Sequence, residues 1–198
     1  MTGRARIAVA AAAALGLGAA LLAGAGRAAP PPAPCAAPAI TVRKAARQLE
    51  LACDGTVRAR YRVSLGRDPR GPKQREGDGR TPEGDYYVCT RNERSAFHLF
   101  LGLSYPGPAD ADRGVKARRI GPAHARAIAA AHAERRAPPW NTALGGAVGI
   151  HGIKRGWGFL GPMHRWFDWT NGCIALADHE IETLWQAAPL GTPVKVVP

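Results

Sequence analysis

The chain has 198 residues, a formal net charge of +12 and four cysteines. This length favours one domain with additional segments. No two of the cysteines form a Cys-x-x-Cys pair, which argues against a thioredoxin-like redox site and against a zinc ribbon.

Residues 1–28 have the features of a secretory signal peptide. Arg4 and Arg6 provide a positive start, residues 7–22 are apolar, and the Ala-Gly-Ala at 23–25 fits a cleavage site. The apolar stretch also approaches the length that spans a bilayer, so an uncleaved anchor is the alternative. Both alternatives place the domain outside the cytoplasm, in the periplasm or cell envelope.

The positive charge predicts anionic partners. A basic exported protein is attracted to surfaces such as cell-wall polymers or phospholipid head groups. Nucleic acid is the usual partner of such a charge, but the export signal argues against it. Since the basic residues are scattered, part of the charge belongs to a solvated face. We expect membrane contact only through the N-terminal segment.

A linker and a β-hairpin follow the export signal. Residues 29–38 contain five prolines and predict a semi-rigid, extended linker, so the domain is expected to comprise residues 39–198. Asp54-Gly55 separates two alternating runs, 48–53 and 56–65. Asp-Gly in this position is a strong hairpin signal, because a type I′ turn needs positive φ at both central residues.

The middle of the chain alternates predicted strands and loops. Residues 66–81 are rich in glycine, proline and charge, which predicts a surface loop that buries little. Apolar runs at 86–89 and 97–105 predict strands. Residues 106–119 predict a further loop.

Two helices are predicted in the second half of the chain. Pro122 begins an alanine-rich helix that continues to Arg136, and a second helix begins at Asp178. Residues 147–150 predict a short strand that delivers His151, and residues 193–197 predict the last strand. These elements predict a mainly β (α+β) domain with two short helices.

The four cysteines leave the disulfide pairing open. Export permits a disulfide. Cys35 with Cys53 is the favoured pair, and Cys53 with Cys89 is the alternative. Cys173 is expected to stay free.

Cys173 and His151 are the candidate nucleophile and general base of an acyl transfer. A thiol is a good nucleophile only as thiolate, so it needs a base or a positive field nearby. A backbone carbonyl near Gly152 is expected to orient the imidazole. The backbone amides of Asn171, Gly172 and Cys173 are the candidate oxyanion hole, since glycine permits close approach.

Other histidines have weaker functional signals. A zinc site of His151, His164, Cys173 and His179 is the alternative, but these spacings match no ligand template. We therefore predict no metal and no cofactor. His98 lies in a predicted strand, where a histidine is more often a satisfied core or edge residue than a functional one.

Several ordered motifs resemble those of the L,D-transpeptidase family, with its YkuD-type catalytic domain. Ile150-His151-Gly152, and Thr170-Asn171-Gly172-Cys173-Ile174 roughly twenty residues later, resemble its active-site signature. The run from Thr81 to Tyr86 matches the family's Thr-Pro-x-Gly-x-Tyr segment. Residues 103–106 and 168–174 resemble the YafK-type branch. The resemblance covers residues 39–198.

The resemblance implies a β-sandwich-like fold and an exported enzyme that acts on peptidoglycan. Its substrate would be the stem tetrapeptide, cleaved between meso-diaminopimelate and D-alanine. Cys173 would form a thioester, which another stem peptide, a protein amine or water resolves. His151 would be the base, oriented by the Gly152 carbonyl. We expect a monomer.

Two departures from the family pattern bear on the reaction. Asn171 stands where the family commonly has histidine, and Ala175 stands where it commonly has arginine. Loss of that arginine removes an expected contact with a substrate carboxylate, for which Arg155, Arg165 or Lys154 are the candidate replacements.

The expected substrate groove also includes Trp169 and Thr170. An L,D-carboxypeptidase, or a hydrolase that releases wall-linked protein, is the alternative activity. A non-catalytic wall-binding module is the alternative of another class.

Overall fold

The computed structural model describes residues 35–198. The predicted signal peptide at 1–28, and the part of the predicted linker before residue 35, lie outside the described residues.

Eight strands form one mixed, curled sheet. They are β1 (Pro38–Arg43), β2 (Gln48–Cys53), β3 (Thr56–Arg62), β4 (Gly84–Ser95), β5 (His98–Leu103), β6 (Gly149–His151), β7 (Ile174–Ala175) and β8 (Pro193–Val197). The spatial order is β3-β2-β1-β8-β4-β5-β6-β7. The β1–β8 and β6–β7 pairs are parallel, and the other pairs are antiparallel.

The predicted mainly β (α+β) class is confirmed, but the strands form one sheet and not two facing sheets. The reason is the length of β4, which has 12 residues. Residues 84–87 of this strand pair with β8, and residues 88–95 pair with β5. One strand therefore joins both halves, and the sheet curls without separating into two layers.

Residues 35–198 contain three α-helices, one more than the sequence predicted there. They are α1 (Pro108–Lys116), α2 (Pro122–Ala133) and α3 (Asp178–Ala187). Helix α1 corrects the loop predicted at 106–119. Gly114 weakens the sequence signal for α1, because glycine has a low helix propensity. In the structure, a Cβ at this position would lie 3.0 Å from the Leu144 side chain. The glycine therefore serves close packing.

A 3₁₀ helix (Gly158–Trp166) lies within the predicted loop that precedes Cys173. Within residues 35–198, no helix combines the length and the apolar character needed to cross a bilayer.

Apolar residues of the sheet and of α3 form the main core. Ile181 and Leu184 of α3 are fully buried in it, together with Leu101 of β5 and Ile150 of β6. A second, smaller cluster between α1 and α2 consists of Ala111, Ile120, Ile128 and Leu144. The main core fixes β6 and β7, which carry the candidate site.

The segment 66–81 is more firmly held than its composition predicted. Lys44 is 2% exposed, and its ammonium donates to the carbonyl oxygens of Gly71 and Thr81, at 2.7 and 2.8 Å. Lys73 is 4% exposed and forms an ion pair of 2.8 Å with Asp78. Buried charges need such partners. Lys44 therefore attaches the segment to β1, and the Lys73–Asp78 pair braces the segment internally.

The structure contains a disulfide between Cys35 and Cys53, with 5.2 Å between the Cα atoms. This is the pairing that the sequence favoured. Cys89 and Cys173 are free thiols.

Candidate active site

The parallel pairing of β6 and β7 brings Cys173 and His151 together. Ile150 lies opposite Ile174, and His151 lies opposite Ala175. Cys173 directly precedes β7, so it continues this register opposite Gly149. Because side chains of a strand alternate between faces, Cys173 and His151 project from the same face. Both line one cleft of about 460 Å³.

His151 is a buried, neutral imidazole held by its neighbour. It is 2% exposed, and its Nδ1 donates to the Gly152 carbonyl oxygen at 2.7 Å. Burial lowers the pKa of His151 to about 4, an effect that the hydrogen bond to Gly152 opposes. Since a carbonyl only accepts, the proton belongs on Nδ1 and the Nε2 lone pair is free. This is the state of a general base.

Gly152 lies where only a glycine fits. A Cβ at this position would lie 2.5 Å from Oδ1 of Asp178. The same oxygen accepts a hydrogen bond of 2.8 Å from the Ile153 amide. The first turn of α3 therefore packs directly on the backbone whose carbonyl orients His151.

Cys173 is a thiol in the resting structure. Its Sγ donates to the Ala147 carbonyl oxygen at 3.7 Å. Burial raises the pKa of Cys173 to about 11, although a backbone hydrogen bond with Gly149 and the charge of Lys73 lower it. The side chain as a whole is partly exposed to the cleft. A thiol with this pKa must lose its proton to a base as it attacks.

The turn that presents Cys173 is braced by Thr170 and Gly172. The Thr170 hydroxyl donates to the Cys173 carbonyl oxygen at 2.7 Å and accepts from the Gly172 amide at 3.1 Å. Gly172 has φ +130°, and a Cβ there would lie 2.6 Å from the Arg80 carbonyl oxygen. The turn thus packs against the segment 66–81.

These contacts change two predicted roles. Thr170 lines the cleft, but it is 4% exposed and its hydroxyl is engaged in the turn. The Gly172 amide also has its own acceptor and is withdrawn from the candidate oxyanion hole. Within residues 35–198, the amides of Asn171 and Cys173 have no protein acceptor.

Asp168 fixes the loop before Trp169. Its Oδ2 accepts from the Arg47 guanidinium at 2.8 and 3.1 Å, and its Oδ1 accepts from the Leu65 amide at 2.9 Å. Trp169 then lines the cleft, with its ring centre 5.8 Å from that of His151. Its contact with substrate stays a prediction.

The two arginines predicted for the groove lie outside the cleft. Arg165 forms an ion pair of 2.9 Å with Glu180 on α3. Arg155 is exposed, and its backbone amide donates to Ala96 at 2.9 Å. The cations that line the cleft are Lys154 and Arg67.

The sequence analysis missed Arg67 because this residue lies in the segment 66–81, which was predicted to be a surface loop. Its amide donates to the Thr170 carbonyl oxygen at 3.1 Å, which brings it beside the nucleophile turn. The sequence offered no signal for this pairing across about a hundred residues. Phe97 and Phe100, at the start of the predicted strand 97–105, also line the cleft.

The remaining histidines lie elsewhere. His98 begins β5, an interior strand, and its Nε2 contacts Glu182 of α3 at 2.7 Å. His164 is fully buried, and burial lowers its pKa. Neither side chain lines the cleft of Cys173.

Comparisons with known proteins agree with this architecture. The sequence profile of the YkuD L,D-transpeptidase catalytic domain matches residues 37–196. The helical cell shape determining protein Pgp2 from Campylobacter jejuni is 20% identical, with a TM-score of 0.52 over 81% of this chain and 47% of that one. An L,D-transpeptidase from Mycobacterium smegmatis is 12% identical, with a TM-score of 0.47 over 81% of this chain and 58% of that one.

The chain therefore spans about half of the length of these solved structures. No curated protein matches it. The profile covers nearly all of the described residues, and the fold is that of Pgp2. The chain belongs to the L,D-transpeptidase family, whose catalytic domain is of the YkuD type.

Proposed function

We propose that this chain is an exported enzyme that modifies peptidoglycan through a thioester on Cys173. The observation that carries the proposal is the β6–β7 register, which sets a thiol and a neutral imidazole in one cleft. Residues 1–28 are proposed as the export signal or anchor, 29–38 as a linker and 39–198 as the catalytic domain. The Cys35–Cys53 disulfide supports export, since disulfides persist in oxidising compartments.

The proposed donor reaction breaks the bond between meso-diaminopimelate and D-alanine in a stem tetrapeptide. Nε2 of His151 takes the Cys173 proton as Sγ attacks the carbonyl carbon. The amides of Asn171 and Cys173 donate to the oxyanion that forms. Collapse of this intermediate expels D-alanine, whose nitrogen takes the proton back from His151. A thioester and free D-alanine are the products.

The acceptor decides between two activities. If a stem-peptide or protein amine attacks the thioester, His151 takes its proton and a new amide forms. The C–S bond breaks, and the Cys173 thiolate that leaves takes the proton back from His151. If water attacks, the enzyme is an L,D-carboxypeptidase or releases wall-linked protein. Ala175 is fully buried and supplies no cation to the acceptor side. This departure, with Asn171, gives hydrolysis equal standing with cross-linking, and the motifs at 103–106 and 168–174 support the YafK-like branch.

Product analysis tests the proposal. The full chain is incubated with a disaccharide-tetrapeptide, and the products are analysed by mass spectrometry. Loss of D-alanine with dimer formation identifies a transpeptidase, and loss with addition of water identifies a carboxypeptidase. Substrate left unchanged by the wild type and by Cys173→Ala alike would contradict the proposal and favour a non-catalytic wall-binding module.

We further propose that Arg67 holds the carboxylate of the terminal D-alanine. Its side chain is exposed in the cleft, and within residues 35–198 its guanidinium forms no ion pair. The Arg67 amide is bonded to Thr170, three residues before the nucleophile. The terminal carboxylate is one residue from the carbonyl that Cys173 attacks. Arginine also binds carboxylates in a two-pronged geometry.

Replacing Arg67 with alanine should raise KM for the tetrapeptide by about tenfold to a hundredfold, the value of one charge-assisted hydrogen bond. Amidation of the terminal carboxylate of the substrate should raise KM of the wild-type enzyme by a similar factor. The same amidation should change KM of the Arg67→Ala variant only slightly. Steady-state kinetics with both substrates measure this coupling.

Arg155→Ala is the matched control for Arg67→Ala, because Arg155 is exposed but lies outside the cleft. It should leave KM unchanged. Equal losses in the two variants, or additive losses from Arg67→Ala and substrate amidation, would show that Arg67 does not bind this carboxylate.

A further inference from the structure

The segment 154–167, called here the aromatic segment, exposes a cluster of large apolar side chains. Phe159 is 80% exposed, Trp166 77%, Phe167 50% and Met163 47%. Among the described side chains only two other large hydrophobic residues are exposed. Scattered exposed hydrophobic residues are ordinary, but a contiguous group marks an interaction surface.

The charge of this surface is positive. The aromatic segment contains Lys154, Arg155 and Arg165 and no acidic residue. Arg165 is neutralised by Glu180. Lys154 and Arg155 are exposed, and within residues 35–198 they form no ion pair. Arg62 is also exposed and donates to the Arg165 carbonyl oxygen at 3.3 Å. The partner is therefore expected to be anionic.

The side-chain chemistry distinguishes a lipid surface from a glycan strand. Between residues 154 and 167 there is no Asn, Gln, Asp, Glu, Ser, Thr or Tyr. Sugar recognition needs such groups to pair with hydroxyls, because unpaired polar groups at an interface weaken binding. Trp and Phe with an aliphatic Met, bordered by Lys and Arg, are typical of segments that lie in the membrane interface.

We propose that the aromatic segment docks the domain on an anionic lipid surface, with Phe159 and Trp166 entering the interface. Lys154 and Trp157, at the start of the segment, also line the catalytic cleft. Docking would hold the cleft beside the membrane. This contact is additional to the N-terminal segment, through which alone the sequence predicted membrane contact. It does not depend on the reaction at Cys173.

Quenching of tryptophan fluorescence by brominated lipid tests the proposal in the full chain. All five tryptophans lie at or after residue 140, so the signal comes from the domain even if the N-terminal segment enters the bilayer. Vesicles of equimolar phosphatidylglycerol and phosphatidylcholine that contain the brominated lipid should quench the tryptophan fluorescence of the wild type. Trp166→Phe should lose most of this quenching. Raising the salt from about 0.1 to about 1 M should reduce it, because the Debye length falls from about 10 to about 3 Å.

Two further variants complete the test. Phe159→Ser with Arg155→Glu should reduce quenching strongly, whereas Leu190→Ser, at a 60% exposed site outside the segment, should not. Circular dichroism of each variant verifies folding. The proposal is overturned if Trp166→Phe is quenched as the wild type is, or if phosphatidylcholine vesicles alone give equal quenching. It is also overturned if the segment binds isolated peptidoglycan, or a second copy of the chain, and no vesicle.

Discussion

Replacement of His151 by glutamine is expected to slow acylation of Cys173 by about a thousandfold at neutral pH, within the range found for general bases. The reason is the charge state of both groups. Burial raises the pKa of Cys173 to about 11, so almost no thiolate exists at neutral pH without proton transfer. Burial lowers the pKa of His151 to about 4, so the imidazole is ready to accept that proton.

The pH dependence should separate this mechanism from a preformed thiolate–imidazolium pair. The acylation rate of the wild type should fall only as the pH drops towards about 4, where His151 becomes protonated. The His151→Gln variant should instead accelerate about tenfold per pH unit towards the pKa of the thiol. Stopped-flow measurement of acylation gives both profiles. Alkylation by iodoacetamide reports the preformed thiolate instead, and in the wild type it should rise with pH towards the thiol pKa of about 11.

His98→Gln is the matched control, because His98 is bonded to Glu182 of α3 and lies outside the cleft. It should behave as the wild type. A wild-type alkylation rate that is already maximal at about pH 6 would mean that the thiolate is preformed, against the general-base account.

Gly172→Ala should be the most damaging single substitution at the nucleophile turn. The residue has φ +130°, and an added Cβ would lie 2.6 Å from the Arg80 carbonyl oxygen. Backbone strain and overpacking each cost roughly 1–3 kcal/mol. The free energy of unfolding should therefore fall by about 4 kcal/mol, which lowers Tm by roughly 10 °C for a domain of this size. Activity should fall with it, since the same turn presents Cys173.

Gly158→Ala provides the control for Gly172→Ala. No atom lies within 4 Å of its Cβ position, and its φ is ordinary, so Tm should be nearly unchanged. Calorimetry and the product assay on both variants test this prediction. A Gly172→Ala protein with wild-type Tm and activity would show that the packing of the turn on Arg80 is not required.

Local sequence signals predicted the features that local physics determines. The Asp54-Gly55 turn is an example. Both residues have positive φ, at 52° and 76°, and the turn connects β2 to β3. Cys173 and His151 were predicted from a signature of two short motifs, one at the end of β6 and one directly before β7. Their shared cleft is consistent with that signature.

Features that depend on distant packing could not be predicted. Helix α1 contains Gly114, whose fit against Leu144 is visible only in the folded chain. Arg165 was assigned to the groove by its closeness in sequence, but Glu180 on α3 draws it away. Arg67 reaches the cleft because its backbone pairs with Thr170, a contact that no spacing reveals.

The central claim, that Cys173 carries the acyl group, is tested most directly by the intact mass of the protein during turnover. We predict that the mass of the protein increases by the mass of the tetrapeptide substrate less the mass of D-alanine. The adduct should map to Cys173 and not to Cys89, whose pKa burial also raises to about 11, and hydroxylamine should release it. Release of D-alanine by Cys173→Ala at the wild-type rate would contradict the account.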